Sequence, residues 1–527
     1  MRRPRFSAPS ALAAAAALVG LVGVVSALTP ELASRSDFVR GVLPPGVPAT
    51  ARVLTFALGV GLVWLSRALA RRKRRAWQLA VALVAVSAIA HLAKGLDFEE
   101  AFFSLLVLAA LWRYRDRFTA PGDAEATRRL LEAVVALAGV ALLLALRVWN
   151  RAGDVADLSE DSLALVAGAL GARAFYLWLR PASHRVEQTA AERRQAARLV
   201  TEWGRDSLCY FALRRDKSYF FSPSGGSFLA YRVVNGTALV SGDPIGDEGE
   251  LGELLAEFRR LAQSRGWRFA VVGASEERLP LYRSVGLRAV YLGDEAVVDP
   301  AVFSLEGRRI RKVRQSVARL ERAGFRVRVL PGRGADARLR AELAKVSSAW
   351  RGRWPERGFG MAMDALFEHD DSLLAVADGL DGRVGGFVQL VPSPASGGWS
   401  VATMRRRSDT PNGLMEFLLV RVVDWAQANA VTELSLNFAV FGEILRGRGS
   451  GSLWRRAVRV VLVPLDRVFQ LDRLLSFSAK FAPSWRARYI CIERLADFPL
   501  VGLAYLHAES LLTPPGPWVR TSDLANH

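Results

Sequence analysis

The chain has 527 residues, a formal net charge of +20 and 51% hydrophobic residues. Two cysteines and five histidines exclude a disulfide framework and offer no metal-ligand spacing. The charge points instead to polyanionic partners, either nucleic acid or an anionic lipid surface.

The hydrophobicity is concentrated before residue 180. Apolar runs at 8–28, 51–70, 76–92, 102–112, 130–148 and 163–179 are candidate membrane spans, the fourth being short. Met1-Arg2-Arg3-Pro4-Arg5 resembles the start of a signal peptide, but five further runs argue for a retained first helix. Basic residues cluster at 2–5, at 71–75 and between 113 and 129, whereas the alternate loops hold few. Positive charge stays cytoplasmic, so about six spans return the chain to the cytoplasm near Arg180. Arg173, inside the last run, contacts a lipid phosphate or snorkels to the interface. The expected localisation is a bacterial cell membrane, multi-pass, with the C-terminal region cytoplasmic.

After a polar linker helix at 186–198 the pattern becomes mixed. Strands at 220–221 and 228–234 flank a Ser-Pro-Ser-Gly-Gly turn, and Asn235-Gly236 signals a hairpin into a strand at 236–240. A glycine-rich acidic elbow follows, "VSGDPIGDEGE" (240–250). Then come a helix at 251–263 and strands at 269–272 and 288–292. A second series runs as strand 325–330, helix 337–350, hairpin 373–377 with 384–391, strand 399–404, helix 414–428 and strand 433–438. The predicted architecture is a multi-pass α-helical membrane region followed by an α/β cytoplasmic region of two tandem GNAT-like acyltransferase folds. The expected domains are 1–185 (membrane), 186–324 (first GNAT-like domain, ending in a basic linker helix), 325–513 (second) and a tail at 514–527.

In that linker helix Ile310, Val313, Val317 and Leu320 share one face, and Arg308, Lys312, Arg319 and Arg322 the other. The basic face is either a solvated surface or a rail for phosphates. The stretch "RGRGSGSLWRRAVR" (446–459) is a second basic candidate for anionic headgroups, or a mobile surface loop.

Four stretches together resemble the bacterial phosphatidylglycerol lysyltransferases, also called aminoacyl-phosphatidylglycerol synthases or multiple peptide resistance factors. They are the elbow, "MRRRSDTPNGLMEFL" (404–418), "LSLNFAVFGE" (434–443) and "SAKFAPSWRARYICIE" (478–493). The resemblance is strongest to the mycobacterial type. It implies transfer of an amino acid from aminoacyl-tRNA to the headgroup hydroxyl of phosphatidylglycerol, and resistance to cationic peptides. The partners implied are aminoacyl-tRNA, anionic phospholipid and the membrane. The long flippase and the synthetase module of larger members are not expected here, so a free synthetase would supply the charged tRNA. The family pattern places an Asp three positions before the arginine of the "MRR" strand, where this chain has Ala402.

Ester-to-ester exchange needs positioning and charge stabilisation, and no cofactor or metal. Arg405 and Arg406, at a strand end, are candidates to hold a phosphate; surface arginines are the alternative. Glu416 is a candidate ammonium ligand or base, or simply a first-turn helix charge. Asn412 is a candidate substrate contact or a cap of the helix at 414. Asn437 hydrogen-bonds an aminoacyl carbonyl or a neighbouring backbone group. Asp247 and Glu248 suit a helix start. Asp243 is a candidate at the cleft between the halves, with closure of the strand-to-helix turn as its structural role. Ala402 keeps two other readings open: a different amino acid or lipid acceptor, and a degenerate non-catalytic domain that binds lipid or RNA.

Overall fold

The computed structural model describes residues 8–28, 47–95, 98–120, 184, 186–352, 354–356, 358–360, 362–363, 366–367, 369–440 and 471–512. Contacts divide the chain into two units. The first contains helices α1 (Ala8–Leu28), α2 (Val47–Leu69), α3 (Arg74–Gly95) and α4 (Phe98–Arg113). They contain the first four predicted spans. The fifth and sixth runs and Arg173 lie outside the described residues. Among the described helices only α1 is both long and apolar enough to cross a membrane.

Small residues let α1 and α2 approach closely. A Cβ added to Gly20 would lie 2.5 Å from the Gly59 carbonyl oxygen, and one on Gly59 would lie 2.5 Å from that of Gly20. Without a side chain at either position the two helix backbones come into direct contact. Leu18, Leu21 and Val25 of α1 and Phe102, Phe103 and Leu105 of α4 point outward.

The second unit is an α/β region built on one large sheet. Helix α5 (Ala190–Trp203) begins at Thr189, whose hydroxyl accepts the Glu192 N–H while Glu192 returns a bond to the Thr189 N–H. That capping box sets the start later than the predicted 186. Strands β1 (Ser218–Phe221), β2 (Ser227–Val234) and β3 (Thr237–Ser241) form the predicted meander. Asn235 and Gly236 turn it with φ of 49° and 69°, pairing Val234 with Thr237. There follow β4 (Ile245–Gly246), α6 (Leu251–Ser264), β5 (Arg268–Ser275), α7 (Leu279–Ser284), β6 (Arg288–Val298) and α8 (Arg311–Arg322).

The later segment supplies β7 (Arg326–Pro331), α9 (Ala337–Arg351), β8 (Leu373–Asp378), β9 (Val384–Ser393), β10 (Gly398–Arg406), α10 (Leu414–Ala428) and β11 (Leu434–Val440). It ends in α11 (Leu471–Ser478), β12 (Ser484–Ile492) and α12 (Phe498–Ala508). The strand order is β1-β2-β3-β5-β12-β6-β11-β10-β9-β8-β7. The two halves read from the sequence therefore share a sheet. β12, late in the chain, lies between β5 and β6, and β6 also pairs with β11.

Alternation along β8 to β10 gives the later half two unlike faces. Ala375, Val388, Leu390 and Val401 pack under α8 and α10. Leu374, Val376 and Phe387 pack under α9. Val313, Val317 and Leu320 of α8 are buried as predicted, while Arg308, Lys312 and Arg319 stay exposed.

Candidate functional site

β10 and β11 are parallel neighbours, but their ladder holds only Trp399↔Leu434 and Ser400↔Ser435. Beyond those pairs β10 runs on to Arg406 and β11 to Val440. Both strands are irregular where the ladder stops. The β9–β10 register shifts between Val401 and Thr403, and the β11–β6 register shifts between Ser435 and Phe438. Bulges of this kind re-aim side chains beside functional sites. Asn437 sits in the second irregularity with φ 72°, a left-handed conformation that asparagine tolerates. Its Nδ2 donates to the Val401 carbonyl at 2.6 Å, replacing a missing ladder bond. Of the two roles read from the sequence, the structure records this backbone contact.

Past the bulge, Thr403 and Arg405 face the α9 side. The Arg405 Nη2 donates to Glu356 Oε1 at 2.5 Å, and the other Glu356 oxygen takes Arg351 Nη1 at 2.5 Å. Arg405 Cζ lies 4.1 Å from the Trp350 ring centroid. Burial holds the guanidinium below its usual range, against the pull of Glu356. The stretch after Glu356 is fastened by Glu509, just past α12. Its carboxylate accepts the N–H groups of Phe359 (2.8 Å) and Gly360 (3.3 Å).

The nine residues singled out in the sequence do not form one cluster. Arg405 belongs to the α9 face, and Asn437 is held against β10 by the Val401 carbonyl. Arg406, next along the strand, has its Cβ on the opposite face beside Leu414, where both approach Gly386. Alternation thus splits the arginine pair, and the two cannot grip one phosphate together. Glu416 lies at the start of α10 and is ion-paired to Lys480 Nζ at 2.7 Å. α10 covers the face away from Arg405, so the two do not share a pocket. Asn412 is exposed and does not cap α10; Gly413 is the N-cap residue, with φ 94°. Ser316 and Arg319 of α8 crowd Gly413, where a Cβ would lie 2.6 Å from the Ser316 side chain. Lys312 and Arg319 lie along α8 on this second face, and Arg308 stands just before its first turn. The 446–459 stretch lies outside the described residues.

Asp243 belongs to the earlier half. It accepts the Tyr282 hydroxyl at 2.6 Å and the Ser275 N–H at 3.3 Å, tying the elbow to the end of β5 and to α7. Gly246 must be glycine: a Cβ there would lie 2.3 Å from the Ser227 Cα, at φ 135°. Asp247 accepts the Gly249 N–H, and Glu248 pairs with Arg278 at 2.9 Å, so local contacts use both acids before α6 begins.

Between the halves lies a buried network that the sequence did not reveal. Arg488 of β12 donates to Glu295 of β6 at 2.6 Å, to Asp206 at 2.7 Å and to the Ser207 hydroxyl at 2.8 Å. Glu295 also accepts the Ser207 (2.5 Å) and Ser435 (2.6 Å) hydroxyls. Burial raises the Glu295 carboxyl, but the Arg488 charge and the hydrogen bonds from Ser207, Ser435 and Arg488 together hold the group below its ordinary value. Among the described residues no cluster of His, Cys, Asp or Glu could hold a metal.

Glu356, Gln389 and Thr403 were also missed. Thr403 carried a signal, standing two residues before Arg405 on a strand. So did Gln389, alone among apolar residues in β9. Glu356 carried none.

This α/β region is similar to the C-terminal domain of a putative lysylphosphatidylglycerol synthetase from Agrobacterium fabrum. The TM-score is 0.53 and the identity 26%, covering 61% of this chain and 97% of that one. Its fold is also that of L-PGS from Bacillus licheniformis, with a TM-score of 0.56 and 23% identity over 63% of this chain and 99% of that one. In sequence it is similar to the lysylphosphatidylglycerol biosynthesis bifunctional protein LysX of Rhodococcus jostii, 39% identical over 323 residues. LysX of Mycobacterium tuberculosis is 38% identical over 318 residues. Those matches cover 60% and 59% of this chain, but 29% and 27% of the relatives' own lengths. The family described as "Phosphatidylglycerol lysyltransferase, C-terminal" matches residues 197–492, and the chain belongs to it.

Proposed function

We propose that the protein transfers an amino acid from aminoacyl-tRNA to the headgroup hydroxyl of phosphatidylglycerol at the cytoplasmic membrane face, using two tandem GNAT-like folds. One observation carries the reading: the family match encloses the diverging β10–β11 pair, with Arg405 and Asn437 beside it. The lipid hydroxyl oxygen attacks the ester carbonyl carbon and forms the new ester bond. The bond from that carbon to the tRNA ribose oxygen breaks, and the hydroxyl proton passes to the departing ribose oxygen. The exchange is close to thermoneutral, so catalysis rests on orientation and on donors aimed at the developing oxyanion. Arg405, locked by Glu356 and Trp350, is such a donor. On the other face Arg308, Lys312, Arg319 and Arg406 gather positive charge for phosphates of tRNA or lipid. The outward apolar side chains of α1 and α4 support a membrane-embedded first unit of several spans.

Ala402 favours a second reading, in which the amino acid is one other than lysine. It stands where the family pattern has Asp and is buried among apolar side chains.

The test is expression of the full chain in a host that makes phosphatidylglycerol but no aminoacylated lipid. A new ninhydrin-positive lipid is expected, and its hydrolysis product names the amino acid. Arg405→Lys should cut its yield, because an ammonium lacks the planar fork. Folded protein supplied with charged tRNA that gives no new lipid, yet binds RNA or anionic vesicles, would establish the degenerate binding domain instead.

A further inference from the structure

Three polar atoms on the α9 face of β9 and β10 are buried and have no hydrogen-bond partner among the described residues. They are Arg405 Nε, Thr403 Oγ1 and Gln389 Oε1. Thr403 and Gln389 are 4% and 1% exposed. They are direct partners across the strands, Thr403 opposite Gln389, and Arg405 follows two residues on. Facing positions lie about 5 Å apart and alternate residues about 7 Å, so the three groups line one spot. The orientation of the Gln389 amide is fixed. Its Nε2 donates to the Leu366 carbonyl at 2.5 Å and lies 3.3 Å from Ser372 Oγ. A carbonyl can only accept, so the other end of the amide must be oxygen. The spot therefore holds one charged donor, one hydroxyl and one neutral acceptor.

Leaving three such groups unpaired within the protein costs stability, and a fold does not need them there. The Leu366 carbonyl uses the Gln389 Nε2, but Gln389 Oε1, the Thr403 hydroxyl and Arg405 Nε serve no contact among the described residues. We infer that Gln389, Thr403 and Arg405 Nε form the subsite that holds the reacting end of the aminoacyl donor. The ester carbonyl oxygen accepts from Arg405 Nε–H and the Thr403 hydroxyl, and the α-ammonium donates to Gln389 Oε1. This rests on the transfer reading above and assigns the atoms that grip the acyl group. An aminoacyl ester supplies the matching set, an acceptor three bonds from a charged donor. A phosphodiester has no donor for Gln389, and an unsubstituted acyl group has no ammonium. Glu356 serves as a positioning residue here. It engages Nη2 at the far end of the guanidinium and leaves Nε without a partner among the described residues.

The test separates binding from folding. Thr403→Val is isosteric and removes a hydroxyl with no partner among the described residues, so the melting temperature of the full chain should stay level or rise. Transfer should fall about 100- to 1000-fold, the loss typical of one oxyanion donor. Thr403→Ser should restore it. Gln389→Met should raise the KM for aminoacyl-tRNA more than it lowers kcat. Unchanged transfer in Thr403→Val and Gln389→Met would overturn the assignment. So would a marked fall in melting temperature in Thr403→Val, which would place the hydroxyl in the fold. The subsite also has a readout independent of transfer, since amino-acid amides carry the same carbonyl and ammonium. They should raise the melting temperature of the wild type, and not that of Gln389→Met. If the wild type transfers nothing, the reaction reading fails, while this thermal shift still decides the subsite. No shift in the wild type, or the same shift in Gln389→Met, would refute it.

Discussion

Arg488 and Glu295 meet at 2.6 Å between β12 and β6, with side chains 3% and 0% exposed. Residues nearly two hundred positions apart thus fasten the strand that the later half lends to the earlier one. A buried pair offsets its desolvation only while both partners remain. Arg488→Met or Glu295→Met alone should cost about 3–5 kcal/mol, because each strands a buried charge. The double variant should lose much less than the sum, as coupled neighbours do. Denaturant titration of the three variants checks this. Additive losses would show that the two side chains are not coupled.

Asp206, on the same arginine, gives a pH signature. Burial raises its carboxyl to about 6 against the pull of Arg488. In the unfolded chain an Asp titrates near about 3.9. Between those values the folded protein holds a proton that the unfolded chain has released. The contribution to stability is fully present below the unfolded value and is lost as pH rises through about 6. Asp206→Asn cannot ionise and keeps the acceptor for the Leu208 N–H. Melting temperatures from about pH 4.5 to about pH 7 should therefore fall in the wild type relative to the variant. Parallel curves would count against the assignment.

The basic face of α8 predicts a salt effect. Arg308 and Lys312 are exposed, and the fold does not depend on their charge. Replacing both by Ala should change stability by less than about 0.5 kcal/mol. Binding of tRNA should weaken, and the slope of log affinity against log salt should drop by about one for each lost phosphate contact. An unchanged slope would make this face an ordinary solvated surface.

In the first unit, Gly20→Val would push a Cβ to 2.5 Å from the Gly59 carbonyl oxygen and 2.9 Å from Leu62 Cβ. The α1–α2 contact should open at a cost of about 1–3 kcal/mol, read as a lower melting temperature in detergent. Gly61→Ala is the control. The nearest atom to a Cβ there is a Leu83 methyl at 3.6 Å, an ordinary contact. Equal effects from both variants would refute the close crossing.

The sequence by itself determined the elements whose signals are local. The Asn235-Gly236 hairpin, the buried stripe of α8, helix 414–428 and the four family motifs were all legible, because turn chemistry and periodicity act over a few residues. It also put forward Arg405 and Asn437, through motif and type. Only the tertiary structure decided which of the nine candidates share a face. Strand alternation sends Arg405 and Arg406 apart, and α10 carries Glu416 to the side opposite Arg405. The exchange of β12 into the earlier half, the Arg488–Glu295–Asp206 network and the convergence of Glu356, Thr403 and Gln389 on Arg405 were likewise hidden. Such contacts join residues distant in the chain, and their partners are fixed by sheet register and burial, which no local pattern encodes.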